Sequence, residues 1–231
     1  TLLESTRADH RLRADALLNA LLPHSGRSLR IGLSGLPGVG KSTLATNVAG
    51  WLARQGHAVM LGDLDRQQSS HQWLGLRPAK VPAIQTWEVR DGGSLLRPPK
   101  GTTHAVIDTP AGLHGKKLEA LLKITDQLLV PLQPSLFDIQ ATHAFLNELA
   151  VHPRAGQIRV ALVGMRVKDH TIAQERLQEY TATLPAKMIA SLRDTQNYVH
   201  LAAHGLTLWD VASGRVERDL AQWEPIVAWL K

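Results

Sequence analysis

The chain has no cysteine among its 231 residues, which excludes disulfides and thiolate metal sites and fits a cytoplasmic protein. No apolar run approaches the length of a membrane span, so no membrane association is expected. Thr1-Leu2-Leu3-Glu4 carries neither the basic flank nor the cleavage pattern of an export signal. There is no G-x-S-x-G, which argues against hydrolase-type nucleophilic chemistry. The eleven histidines, read as scattered with neither an H-x-x-x-H pair nor an H-E-x-x-H, predict no zinc site. Basic residues number 26 and acidic residues 20, a net charge of +6 that permits nucleic-acid contact without demanding it.

One stretch carries far more information than these absences. Gly35-Leu36-Pro37-Gly38-Val39-Gly40-Lys41-Ser42 fits the phosphate-loop pattern G-x-x-x-x-G-K-[ST] at every fixed position. Glycines let successive backbone N–H groups curl around a phosphate chain that a Cβ would obstruct. Lys41 would reach the β- and γ-phosphates, and the Ser42 hydroxyl would ligate Mg²⁺. The phosphates are expected on Gly38 to Thr43, where the following helix presents its positive end. Context agrees, because Leu29 to Leu33 reads as a buried strand and Thr43 to Arg54 as a helix. The pattern implies a nucleoside triphosphate site.

The rest of the chain has the rhythm of a parallel sheet. Strands are predicted at 28–34, 58–63, 104–108, 127–131 and 157–164, with weaker ones near 83–87 and 187–190. Helices are predicted at 43–54, 115–124, 138–150, 171–183 and 195–203. This alternation implies an α/β fold of P-loop NTPase type, a twisted, mainly parallel sheet with helices on both faces. Residues 1–27 are expected to form an N-terminal helical extension and 28–231 one domain. Residues 76–103, rich in Pro and Gly, read as a surface loop with one short strand. Leu220, Trp223, Val227 and Leu230 recur at helical spacing and predict a closing helix packed on the sheet.

Two acidic segments complete the nucleotide chemistry. His104-Ala105-Val106-Ile107-Asp108 is an apolar strand ending in a carboxylate, and Asp108 would bind Mg²⁺ through water at the strand's carboxyl end. Asp63 and Asp65 close the strand after the first helix. On an extended chain they share one side, so one would hold a metal-bound water and the other orient the attacking water.

These residues carry a resemblance. From about Leu44 onward the chain resembles the ParA/MinD family of deviant-Walker ATPases, which position plasmids, chromosomes and other cargo. Asp63-Leu64-Asp65-Arg66-Gln67 is similar to its D-x-D-P-Q, Val106 to Gly112 to its I-D-T-P-P-G, and Val130 to Ser135 to its V-P-x-Q-P-S. Leu192-Arg193-Asp194 sits where the family has an I-P-R-N-like segment. The resemblance implies ATP as the nucleotide, Asp65 as the hydrolysis switch, Asp108 as the Walker B acid, and a homodimer that binds non-specific DNA or an adaptor or cargo protein. One position departs. The family's loop begins K-G-G, and its first lysine reaches the partner's phosphates across a nucleotide-sandwich dimer. Here Leu36 and Pro37 stand instead, and an apolar side chain cannot supply that charge. Slow hydrolysis and weak ATP-dependent dimerisation are therefore expected.

Upstream lies a second resemblance. Glu4 to His10, Leu21 to Ser28 and on to Thr43 resemble the MeaB/ArgK type of P-loop GTPase, which chaperones a cobalamin-dependent mutase. It is expected to stop near residue 43, and no guanine-reading N-K-x-D follows, only Arg166-Val167-Lys168-Asp169. The chain thus reads as a hybrid, engineered or a natural fusion, with a GTP-binding metallochaperone as the alternative function. An engineered hybrid without partner function is a further alternative. Basic residues that bear on DNA contact, Arg154, Arg159, Arg166, Lys168, Lys187, Arg193, Arg215 and Arg218, are spread through the C-terminal half without a run or stripe.

Overall fold

The apolar runs LRIGL, VMLGD, HAVID and QLLVPL are too continuous for a sheet with one wet face. In the computed structural model, which describes residues 28–86 and 101–231, they become β1 (Leu29–Leu33), β2 (Val59–Asp63), β3 (His104–Asp108) and β4 (Gln127–Leu132). With β5 (Arg159–Val167) and β6 (Lys187–Arg193) they form one sheet in the order β2-β3-β1-β4-β5-β6. Every neighbouring pair is parallel.

Helices cover both faces, and alternation along each strand divides the core between them. On one face α1 (Lys41–Arg54), α2 (Ser69–Leu76), α6 (Gln196–Ala202) and α7 (Glu217–Leu230) bring Leu44, Trp73, Leu201 and Trp223 against Ile31, Val106, Leu129 and Val163. On the other, α3 (Gly115–Ile124), α4 (Leu136–Ala150) and α5 (Ile172–Thr181) bring Leu122, Leu146 and Leu177 against Ile107, Leu128, Val130 and Leu162. Consecutive residues such as Val106 and Ile107 thus serve opposite cores, the period of two that a pleated strand imposes.

The expected fold class, the five main strands and the five helices are all present, with ends displaced by a few residues. The closing helix is there too, its Trp223 and Ile226 fully buried. The weak strand near 187 lengthens into β6, and the one at 83–87 reduces to a single parallel bridge between Gln85 and Met60. The N-terminal extension and residues 87–100 of the irregular segment lie outside the described residues.

Helix α2 was not expected. Its sequence, SSHQWLGL, has a glycine near its end and no capping side chain at Gln68, which sits at φ 52°. The cap comes from farther back, where Asp63 Oδ2 accepts from Ser70 N at 2.8 Å and His71 N at 3.2 Å. A helix started by a residue of the preceding strand leaves no local start signal.

The far end of α2 is pinned by charge. Arg77 forks onto Asp210, Nη1 to Oδ2 at 2.9 Å and Nη2 to Oδ1 at 3.2 Å, with side-chain exposures of 5% and 0%. Asp210 also accepts from Thr207 N and Oγ1. Removing one partner of a buried pair strands the other charge. Asp210→Ala is therefore expected to cost about 3–5 kcal/mol in urea denaturation; a cost below about 1 kcal/mol would place this pair among exposed ones.

Candidate nucleotide-binding site

Strand register builds the site. Leu33 of β1 and Asp63 of β2 both lie opposite Asp108 of β3, so three adjacent strands end at one level. The phosphate loop leaves β1 beside two carboxylates, at the carboxyl edge where parallel sheets collect ligands. Thr109 Oγ1 donates to the Leu33 carbonyl and ties these strand ends together.

The loop is a shaped cradle. A Cβ on Gly35 would stand 2.9 Å from the Pro131 carbonyl oxygen, and one on Gly40, at φ 97°, would meet Met165 Cε at 2.8 Å. Gly38, at φ 73°, faces open space. Val39 turns inward and is buried while Pro37 and Gly38 form the exposed crest. Ser42 and Thr43 follow in the first turn of α1, which has no side-chain cap. Its first amides are thus left for an anion. Gln133, from the loop after β4, braces the crest by donating Nε2 to the Gly38 carbonyl at 2.9 Å.

Lys41 is buried at the loop's centre. Its Nζ donates to the carbonyls of Gly35 at 3.1 Å and Leu36 at 2.8 Å, so the lysine closes its own loop into a ring. Burial lowers its pKa, against the opposing attraction of Asp108 and Asp65.

Asp108 is 1% exposed. Its Oδ2 accepts from Ser70 Oγ at 2.7 Å, and its Oδ1 has no partner among the described residues. Burial pushes its carboxyl up to about 6, against the hydroxyls of Ser70 and Ser42; nearby Asp63 adds to the rise and Lys41 opposes it. An orphaned carboxylate oxygen beside the Ser42 hydroxyl fits the hard-oxygen coordination of Mg²⁺, which keeps several waters and takes few protein ligands. No group of three histidine, cysteine or acidic ligands forms among the described residues, so the donor set suits an ion carried in with phosphates.

Asp63 requires correction. It does not share an extended chain face with Asp65: the backbone turns, and Asp65 N donates to Asp63 Oδ1 at 2.9 Å. With Oδ2 capping α2, both Asp63 oxygens accept from amides, so its carboxylate builds the turn that leads into the helix. Asp65 accepts from Gln67 N at 3.1 Å and lies close enough to Lys41 to act on its charge. Ser70 and Gln133 were missed as site residues. Gln133 stood at the end of a strand on the correct edge, whereas Ser70 had no signal, because α2 was not foreseen.

The histidine reading requires correction, because His200-Leu201-Ala202-Ala203-His204 is an H-x-x-x-H pair. His200 and His204 stand one turn apart at the end of α6, their ring centroids 5.1 Å apart. The basic residues divide. Arg154 donates to the Leu122 carbonyl, Arg159 to that of Trp229, Arg193 to Asp219 and Arg218 to Asp169. Arg166, Lys168, Lys187 and Arg215 have no side-chain partner among the described residues. No described helix is long and apolar enough to cross a membrane.

Comparison with known proteins gives two kinds of match. The chain is 36% identical over 182 residues to the maintenance of carboxysome distribution protein A of Gloeobacter kilaueensis, covering 76% of this chain and 81% of that one. The chain belongs to the ParA/MinD family. Its fold superposes on an ATP complex of a Cyanothece McdA variant with a TM-score of 0.65 at 17% identity, covering 87% of this chain and 97% of the other. The second match is to the methylmalonyl Co-A mutase-associated GTPase MeaB family, over residues 1–72. A probable GTPase of Mycobacterium tuberculosis is 49% identical over 96 residues, 42% of this chain. This chain spans only 23% of that GTPase. The GTPase resemblance therefore runs past residue 43, through the phosphate loop and β2, and the two matches overlap instead of meeting at a junction.

The charge on Asp108 sets a pH-dependent cost in the absence of nucleotide and magnesium. Its folded pKa, about 6, exceeds the ordinary 3.8, so the folded state holds the proton more tightly. The stabilisation is full below about pH 4 and lost as pH rises through 6. Asp108→Asn should thus be more stable than the parent at pH 8, by up to about 3 kcal/mol, with the advantage vanishing near pH 4. His104, held down at about 4 by burial and by His57, titrates equally in both proteins and cancels from the difference. Urea denaturation of the pair across pH 4–8 measures it, and a pH-independent difference would contradict it.

Proposed function

We propose that this protein is a Mg-ATP-binding ATPase of the ParA type, a nucleotide-switched positioning protein with slow turnover. The observation that carries this reading is the cradle from Gly35 to Thr43, closed by buried Lys41 and faced by the unpartnered Oδ1 of Asp108. The α1 amides and Lys41 hold the β- and γ-phosphates, Ser42 and Asp108 address Mg²⁺, and Asp65 orients the attacking water. Bound Mg²⁺ supplies charge neutralisation at the transferring phosphoryl group. To receive phosphate, Lys41 exchanges the Gly35 and Leu36 carbonyls for phosphate oxygens, a trade of neutral acceptors for charged ones. ParA-type proteins act through partners, which favours a homodimer that contacts DNA or an adaptor. Of the eight basic residues singled out in the C-terminal half, Arg166, Lys168, Lys187 and Arg215, which have no side-chain partner among the described residues, are offered for phosphate contact.

The match to the MeaB family over residues 1–72 favours a second reading, a GTP-binding metallochaperone. Base preference separates them. Calorimetry is expected to give ATP tighter than GTP, and Lys41→Ala is expected to abolish ATP binding. Equal displacement of ATP by GTP would promote the second reading, and unchanged affinity in Lys41→Ala would remove the cradle from both.

Turnover follows from Leu36. A cationic finger contributes about 10³–10⁵ in rate to phosphoryl transfer, and Leu36 offers none. Installing Lys at 36 with Gly at 37 should raise both steady-state ATPase and ATP-dependent dimerisation, read by phosphate release and light scattering. A parent that already matches the double variant would contradict the assignment to Leu36.

A further inference from the structure

Ser70 is fully buried, in the first turn of α2, and no part of the chemistry above uses it directly. Its backbone amide and its hydroxyl serve two different carboxylates. The amide donates to Asp63 Oδ2 and the hydroxyl to Asp108 Oδ2, both within 2.8 Å. The two carboxylates lie in register at the ends of β2 and β3, so Ser70 is a staple across neighbouring strands. Asp63 supplies the fixed side, since its remaining oxygen holds the Asp65 amide. Asp108 supplies the functional side. With Oδ2 held by Ser70, the carboxylate plane is set and Oδ1 is left without a partner among the described residues.

We propose that Ser70 is a positioning residue for Mg²⁺: its hydroxyl holds one oxygen of Asp108 so that the other is presented to the metal's water shell. The proposal rests on the reading that Asp108 addresses the Mg²⁺ of a bound triphosphate. Groups that orient a metal-addressing ligand contribute 10–100-fold to metal affinity or activity as a rule, and the burial of this bond keeps water from replacing the hydroxyl. The staple also gives α2 a reason to begin where it does. A serine placed one residue along would keep the helix but lose the bond to Asp108.

The test is the Mg²⁺ dependence of ATP binding, measured by titrating Mg²⁺ at fixed ATP with a fluorescent ATP analogue, alongside binding in EDTA. Ser70→Ala should leave binding in EDTA within about twofold and raise the Mg²⁺ midpoint by about 10-fold or more. Ser70→Thr, which keeps the hydroxyl, should return the midpoint to within about threefold. In an Asp108→Asn background Ser70→Ala should add nothing, because the two groups act as one unit. Should Ser70→Ala fail to fold by circular dichroism, Ser70→Cys takes its place, its thiol being a weak donor. An unchanged midpoint in the folded variant, or a Thr variant as impaired as Ala, would overturn the proposal. Asp108→Asn with an unchanged midpoint would instead overturn the reading of Asp108 on which it rests.

Discussion

Because β2, β3 and β1 run parallel with Asp63, Asp108 and Leu33 in register, the phosphate loop leaves the sheet beside two buried carboxylates. That alignment is the constraint on which the site depends. It brings a loop of amides, a buried lysine and an acid to one edge, and it does so through backbone pairing that the ligand does not have to organise. A slip of one residue between β1 and β3 would turn Asp108 to the opposite face of the sheet. The Thr109 hydroxyl on the Leu33 carbonyl, and Leu64 N on the Asp108 carbonyl at 2.8 Å, hold the register at the point where it matters.

The site stores unfavourable electrostatics around that alignment. Lys41 is buried on neutral carbonyls and Asp108 is buried with one oxygen unpartnered, each with its charged form disfavoured by desolvation. Both deficits are of the kind that a magnesium–phosphate ligand corrects, since it brings negative oxygens for the lysine and metal-bound water for the carboxylate. Other buried charges among the described residues are paired, as in the buried Arg77–Asp210 fork and in Asp219, which accepts from both Arg193 and Asn197. A buried lysine and a buried carboxylate with its charged form disfavoured, side by side at the carboxyl edge of the sheet, are the arrangement expected of a binding site.

Much of this was legible in the residues. The loop pattern is dense enough to be read directly, and the apolar strands that end in Asp63 and Asp108 mark the carboxyl edge. The roles within that edge were not legible. Spacing alone put Asp63 and Asp65 on one side of an extended chain, whereas Asp63 turns the backbone there and gives its oxygens to amides of the turn and of α2. Helix α2 escaped notice because its cap comes from β2, seven residues back, and Ser70 escaped with it. Leu36 shows the converse case. Its side chain departs from the lysine of the loop the sequence resembles, while its carbonyl, which any side chain leaves intact, accepts from Lys41 and closes the ring.

Binding of a triphosphate in this cradle requires Lys41 to leave its own loop for phosphate. A crystal structure with Mg²⁺ and a non-hydrolysable ATP analogue measures that directly. The expected result is Nζ moved from the Gly35 and Leu36 carbonyls onto β- and γ-phosphate oxygens, with the α1 amides on the same phosphates and Asp108 Oδ1 within hydrogen-bond reach of a metal-bound water. A bound analogue with Lys41 still on the two carbonyls, or with its phosphates away from residues 38–43, would contradict the account.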